Sequence, residues 1–200
     1  MNKLTLFLFT FLLSLISVNA QNPNPLDKSG IAIKTNIIYD FLATVNVGAE
    51  FRIANKVTLD LPININAWEK SYNMKLKHFL IQPEFRYWLS EEFDRHFFGA
   101  HALYLNYDWA NIKLPFEIYP ELNDNRRRKG NGYGLGVSYG YHWFLTPQFR
   151  LEWSIGLGYA YMKYDTYACA TCEEVETKDG GKHYFGPTKI GISFIYMLGK

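Results

Sequence analysis

Residues 130–165 read GNGYGLGVSYGYHWFLTPQFRLEWSIGLGYAYMKYD. Tyr133, Leu135, Val137, Tyr139, Tyr141 and Trp143 share one parity. Gly132, Gly134, Gly136, Ser138, Gly140 and His142 share the other. After the break Leu145-Thr146-Pro147-Gln148, the alternation resumes with Leu151, Trp153, Ile155, Leu157, Tyr159 and Tyr161. A period of two over this length is the signature of β-strands, whose successive side chains point to opposite faces. Two such runs joined by a Pro-containing turn predict a long antiparallel hairpin.

The same alternation continues on both sides of the hairpin. It predicts strands over Ile31–Phe41, Val45–Ile53, Val57–Ala67, Leu76–Leu89, Arg95–Trp109 and Tyr184–Leu198, which with the hairpin makes eight. Pro62 and Pro83 fall inside two of them, where a missing N–H predicts bulges. The connections after the second, fourth and sixth strands are tight. Those after the third, fifth and seventh are long and polar, including 110–129 and Thr166–His183. Alternate connections of an up-and-down meander lie at one end, so one end carries short turns and the other carries loops. Outer-membrane barrels have this form. No helix of useful length is expected beyond the N-terminal segment. The expected fold is all-β: an eight-stranded antiparallel up-and-down transmembrane β-barrel occupying residues 30–200.

Which face points inward follows from the residues opposite the apolar ones. That face carries Lys34, Glu50, Arg52, Asp60, Glu84, Arg86, Glu152 and Lys189, four of each sign, together with glycines. An eight-stranded barrel has a narrow interior filled by side chains. Small residues and neutralising charge pairs fit it, whereas rows of Tyr, Trp, Phe and Ile fit lipid. The expected role of the eight charges is an interior network that holds the barrel rigid.

The N-terminus predicts export. A positive start at Lys3 precedes an apolar core, Leu4–Ile16, and the small-residue site Val18-Asn19-Ala20. Residues 1–20 are read as a cleaved signal peptide and 21–29 as a polar lead-in. Aromatic residues make up 18% of the chain, which suits a membrane interface. A formal charge of only +2 gives no case for nucleic acid as a partner. Cys169 and Cys172 are the only cysteines. In an exported chain they are candidates for a local disulfide; a redox switch or a metal ligand pair is a weaker alternative.

Catalytic signals are thin. Ser138 and His142 share a face, but four strand residues separate them by roughly 13 Å, too far for a nucleophile–base pair. His78, His96, His101 and His183 show no metal spacing. The expectation is no enzyme, no metal and no cofactor. The run Arg126-Arg127-Arg128-Lys129 is placed in an outward loop, where it could meet phosphates or acidic sugars of lipopolysaccharide or an acidic protein.

Ala32-Ile33-Lys34-Thr35-Asn36, Gln82–Trp88 (QPEFRYW), Gly136–Tyr141 (GVSYGY) and His183–Gly191 (HYFGPTKIG) resemble a family of uncharacterised outer-membrane barrel proteins from Bacteroidota, known as a domain of unknown function. The resemblance spans nearly the whole chain beyond the signal. It implies an eight-stranded barrel of the OmpA or OmpX type in the outer membrane, and a role near envelope or fimbria-like surface proteins. It supplies no catalytic residues. The sequence therefore points to a structural or adhesive outer-membrane barrel that meets lipid, and through its loops lipopolysaccharide or a surface protein. The alternatives are a narrow channel, a lipid-modifying enzyme using His142 or another His, and a secreted soluble barrel around an apolar ligand.

Overall fold

The computed structural model describes residues 30–67, 69–71, 74–112 and 126–198; the expected signal and lead-in lie outside them. The strands are β1 (Ile31–Asn36), β2 (Val45–Ala54), β3 (Val57–Asn66), β4 (Glu69–Ser71), β5 (Met74–Ile81), β6 (Glu84–Trp88), β7 (Arg95–Ala110), β8 (Arg127–Phe144), β9 (Phe149–Tyr167) and β10 (Val175–Leu198). A short helix, α1 (Ile37–Phe41), follows β1. Among the described residues no helix is long and apolar enough to cross a membrane.

All pairings are antiparallel: β1–β2, β2–β3, β7–β8, β8–β9 and β9–β10 join in chain order, β4 pairs with β5, and β10 pairs with β1. The sheet is thus an up-and-down ring. β5 and β6 share one place in it: both pair with β3 on one side and β7 on the other. Gln82 and Pro83 separate them, because Pro83 has no N–H to offer the ladder. Pro62 lies directly across, between the stretches of β3 that pair with β6 and β5, and its carbonyl accepts from Gln82 N at 3.3 Å. The two prolines therefore share one interruption of the ladder.

The ring is staggered. A row of paired residues leaves β10 at His183 and crosses Tyr161, Tyr133, Tyr104, Ile81, Ile63 and Val47. Next to Val47, Gly48 pairs with Lys34, and Lys34 pairs with Ile195, which is twelve residues along β10 from His183. Strands that tilt in a ring of this size produce such an offset.

Three expectations need correction. The run Ile31–Phe41 is not one strand. It breaks at Asn36, which caps α1 by accepting from Ile38 N at 3.1 Å. The predicted loop Thr166–His183 is mostly strand, with only residues 168–174 between β9 and β10. Polar residues can continue a ladder wherever neither face needs burial. For the same reason β8 starts at Arg127, so Arg127, Arg128 and Lys129 are wall residues and not loop residues.

At the short-turn end the interior is closed by Trp88, Phe93 and Phe97 with Ala32, Ile195 and Met197, all buried. Above them the inward face is glycine-rich for want of space. A Cβ on Gly140 would overlap the Phe97 ring, and one on Gly99 would overlap Glu84 and Ser138.

Candidate functional site: the interior charge cluster

Arg86 is the centre of the interior. Its alternation on β6 points it inward beside Glu84, two residues away on the same face. Its Nη1 lies 2.8 Å from Glu50 Oε2 and 2.7 Å from Glu152 Oε2, its Nη2 2.8 Å from Asp60 Oδ2, and its Nε 2.8 Å from Glu84 Oε2. Four carboxylates from four strands thus surround one planar guanidinium, whose rigid fork suits several acceptors at once. The guanidinium also sits 4.2 Å above the centre of the Phe97 ring.

Two lysines complete the set. Lys34 Nζ lies 2.7 Å from Glu50 Oε2 and 3.0 Å from Asp60 Oδ2. Lys189 pairs with Glu84 and lies 3.7 Å from Asp60 Oδ2. Seven of the eight residues singled out from the sequence therefore meet in one buried cluster. The eighth, Arg52, does not reach it. Arg52 sits at the short-turn rim, its side chain 36% exposed, and pairs with Glu92. Partial burial works against the Glu92 charge, but the Arg52 hydrogen bond and backbone N–H donors outweigh it and hold its carboxyl below the ordinary value.

Neutral side chains finish the cluster, and their partners were not readable from the sequence. Thr58 Oγ1 donates to Glu50 Oε1 at 2.5 Å, and itself accepts from Trp88 Nε1 at 2.9 Å. Ser138 donates to Glu84. His142 Nε2 lies 2.7 Å from Glu152 Oε2. Ser138 and His142 thus serve different carboxylates and do not form a pair. Inward parity on β8 was the available signal; the partners depend on how the ring closes.

Glu50, His142 and Glu152 bring ligand atoms within 4.8 Å of one another, a grouping that could hold a metal ion. The same Glu50 and Glu152 oxygens already face the Arg86 guanidinium and the Lys34 ammonium. A divalent cation there would sit against two fixed positive charges, so the donor set does not fit one.

The basic run divides. Arg127 is held by Asp108 at 2.6 Å and lies 4.8 Å above the Tyr167 ring. Arg128 is inward and buried, 5.9 Å from the Tyr164 ring centre. Arg126 lies 3.7 Å from Glu176, and Lys129 is exposed. Cys169 and Cys172 are joined at the tip between β9 and β10.

Residues 6–198 match the family model of DUF3575, described as proteins of unknown function. The chain belongs to the DUF3575 family. No curated protein and no solved structure matches it. DUF3575 membership covers nearly the whole sequence but names no activity, so the geometry has to carry the functional reading.

Proposed function

We propose that this DUF3575 chain is a small integral outer-membrane β-barrel with a structural or adhesive role, exported by a cleaved signal at residues 1–20. One observation carries the reading: the distribution of residues on the outer face of the ring. Leu135, Val137, Ile155, Leu157, Phe185 and Ile190 are exposed there. An aromatic row, Tyr104-Tyr133-Tyr161, bounds this band at one end. Trp143, Phe149, Phe194 and Tyr196 bound it at the other. Beyond the upper row the outer face turns polar, with Lys77, Asp108, Lys129 and Asp165 side by side.

The dimensions agree with a bilayer. Tyr133 to Trp143 spans ten residue steps. At ~3.3 Å per residue and a tilt of roughly 40–45°, the band is about 25 Å tall, the height of the apolar belt of membrane barrels. Charged residues at band height point inward and are paired, as a membrane wall requires. A soluble barrel would instead place its apolar face inside, where this chain has its charges.

The filled interior favours neither a channel nor catalysis. Trp88, Phe93 and Phe97 close the short-turn end, and the seven-charge cluster fills the middle. Its carboxylates are engaged by Arg86, Lys34 and Lys189. The role therefore falls to surfaces outside the band. The exposed Arg126 and Lys129 and the hairpin tip are the part that would meet lipopolysaccharide or a surface protein.

Electrophoresis of the outer-membrane fraction, with and without boiling in SDS, tests the assignment. The expected result is a membrane-fraction band whose mobility changes only on boiling. A soluble band without a shift overturns it.

A further inference from the structure

The outer face of the ring is notched in the half of the apolar band nearer the short turns. Ala100 is a small outward residue on β7. Phe85 pairs with it across the ladder, and Phe98 lies two residues before it. Tyr87 and Val57 stand beside Phe98 in the same outward row. Phe85, Tyr87 and Phe98 are each more than half exposed. An open groove of about 310 Å³ runs between them, with Ala100, Gly99 and Arg86 at its floor. The Arg86 guanidinium is turned inward to the carboxylates, so the groove presents no charge along its length.

The end of the groove nearer the rim is polar. His96 continues the outward parity of Ala100 and Phe98 on β7. Its carbonyl accepts from Leu89 N at 3.0 Å, and Lys56, the residue before Val57, donates from Nζ to Leu89 O at 3.3 Å. His96 and Lys56 therefore stand one strand apart at the mouth of the groove. His96 Nδ1 lies 2.7 Å from Tyr139 Oη, and the ring is held against Tyr139 and Tyr141. The Tyr139 hydroxyl has no other partner among the described residues. A hydroxyl proton left unbonded beside lipid is costly, so it is donated to Nδ1, and the ring proton sits on Nε2. Nε2 has no partner among the described residues, and Lys56 Nζ has no carboxylate partner there. Asp94, the next outward position on this strand, is met by Arg95 at 3.8 Å. Two donors thus stand without acidic partners at one end of an apolar groove.

We propose that the groove holds one acyl chain of a phospholipid, whose phosphate oxygens accept from His96 Nε2 and Lys56 Nζ. The two parts fit in one orientation only: the donors lie toward the rim, where headgroups begin, and the groove leads toward the middle of the band. Hydrogen bonds from a cation to phosphate are among the strong ones. An apolar side chain of a second copy could fill the groove but would leave both donors unmet. The short turns of membrane barrels face the periplasm, so the lipid belongs to the leaflet on that side. The site rests on the membrane assignment made above.

The test uses the protein folded in dodecyl maltoside micelles, with its boil-dependent band verified first. Dimyristoyl phosphatidylglycerol is titrated while the Val57 and Ala100 methyl resonances and the His96 Nε2 resonance are followed by NMR. Saturable shifts at all three are expected, with affinity about tenfold weaker for dimyristoylglycerol, which has the same chains without the phosphate. Inorganic phosphate alone should leave the Ala100 methyl unmoved. Ala100→Phe fills the groove from the lipid side, leaves both donors in place and should abolish the response at Val57. His96→Phe keeps a ring between Tyr139 and Tyr141 and should remove most of the difference between the two lipids. Either variant tests the site if the other does not fold. No saturable shift in folded protein, equal affinity for the two lipids, an Ala100 shift with inorganic phosphate, or an unchanged response in folded Ala100→Phe overturns the site and leaves the membrane assignment standing. So does a dimer that forms without added lipid and is lost in Ala100→Phe, which would give the groove to a second copy. Absence of a boil-dependent membrane band removes both.

Discussion

The ring has a low side and a tall side. On the low side β2 and β3 are ten residues each, close to what a tilted strand needs to cross a bilayer. On the tall side β9 and β10 have nineteen and twenty-four. The two sides separate two properties that usually travel together, alternation and pairing. On the low side alternation outlasts pairing: Ile37 and Tyr39 continue the apolar phase of β1, yet the chain has turned into α1. On the tall side pairing outlasts alternation. Residues 175–182 remain in the ladder although their sequence, Val-Glu-Thr-Lys-Asp-Gly-Gly-Lys, reads as loop. A ladder is held by backbone groups, and only burial of a face imposes the period on side chains.

The charge cluster ties the two sides together: Lys34, Glu50 and Asp60 come from the low side, Glu152 and Lys189 from the tall side, and Arg86 joins them. Cutting that tie should have the largest effect. Arg86→Leu leaves four carboxylates around an apolar side chain. Removing one partner of a buried ion pair costs about 3–5 kcal/mol, and here one cation serves four anions. The expected outcome is loss of the folded, boil-sensitive band in SDS electrophoresis, or a collapse of the urea midpoint in lipid vesicles where some folded protein survives.

Asn36→Leu attacks the seam where β1 meets the tall side's β10. It removes the cap of α1 and uncovers the Ile190 carbonyl and the Ile192 amide. Unsatisfied buried groups cost about 1–3 kcal/mol, so a loss of about 2 kcal/mol is expected. Hydrogen exchange should localise it: protection at Ile192 should fall while Tyr133 and Ile155 stay unchanged. Equal loss at Tyr133 and Ile155 would mean that the seam between β1 and β10 does not open independently of the β8–β9 wall.

Shortening the tall side should cost less. Replacing residues 164–180 by Asn-Gly joins Lys163 to Gly181, which already face each other across the ladder. The change removes the disulfide, the Lys163–Asp179 pair, the tip, and Tyr164 and Tyr167, the ring partners of Arg128 and Arg127, all beyond the aromatic row. The boil-dependent shift should persist, with a stability loss of about 1 kcal/mol by urea unfolding, since exposed ion pairs and surface cation–ring contacts each contribute little. Binding to any surface partner should disappear with it.

Much of this was legible in the sequence. The hairpin from Gly130 to Asp165, the inward parity of the charges and the short-turn end follow from period and turn residues. What was not legible depends on closure. Arg52 and Glu50 share a face of β2, yet only Glu50 reaches Arg86, because height in a tilted ring is set by stagger across all strands. No single strand records that stagger. The split at Pro83 was half legible: the missing N–H predicted an interruption, but not that Pro62 would lie opposite it. The break at Asn36 left a faint signal, an Asn in the N-cap position before a short run, masked by apolar residues that happened to stay in phase.

The smallest effect expected is a pH-dependent one, and it again distinguishes the two ends. At the short-turn rim, the carboxyl of Glu92 is held below its ordinary value by the Arg52 hydrogen bond, with the Lys56 backbone N–H also donating. A depressed folded-state value means that the contribution is present above the ordinary carboxylate range. It is lost as pH falls through the lowered value. At the opposite end, Lys163 and Asp179 shift each other through a shared hydrogen bond, Lys163 upward and Asp179 downward, but both are fully exposed. Water and salt screen such a pair. Glu92→Gln should therefore lower stability by about 0.5 kcal/mol near neutral pH, within the range of partly exposed pairs. The difference from wild type should fade as pH falls below about 4, where carboxylates protonate. Asp179→Asn should leave the urea midpoint unchanged at both pH values. A larger effect for Asp179→Asn than for Glu92→Gln would place the stabilising contact on the tall side, against the view that everything above the aromatic row is dispensable for holding the ring.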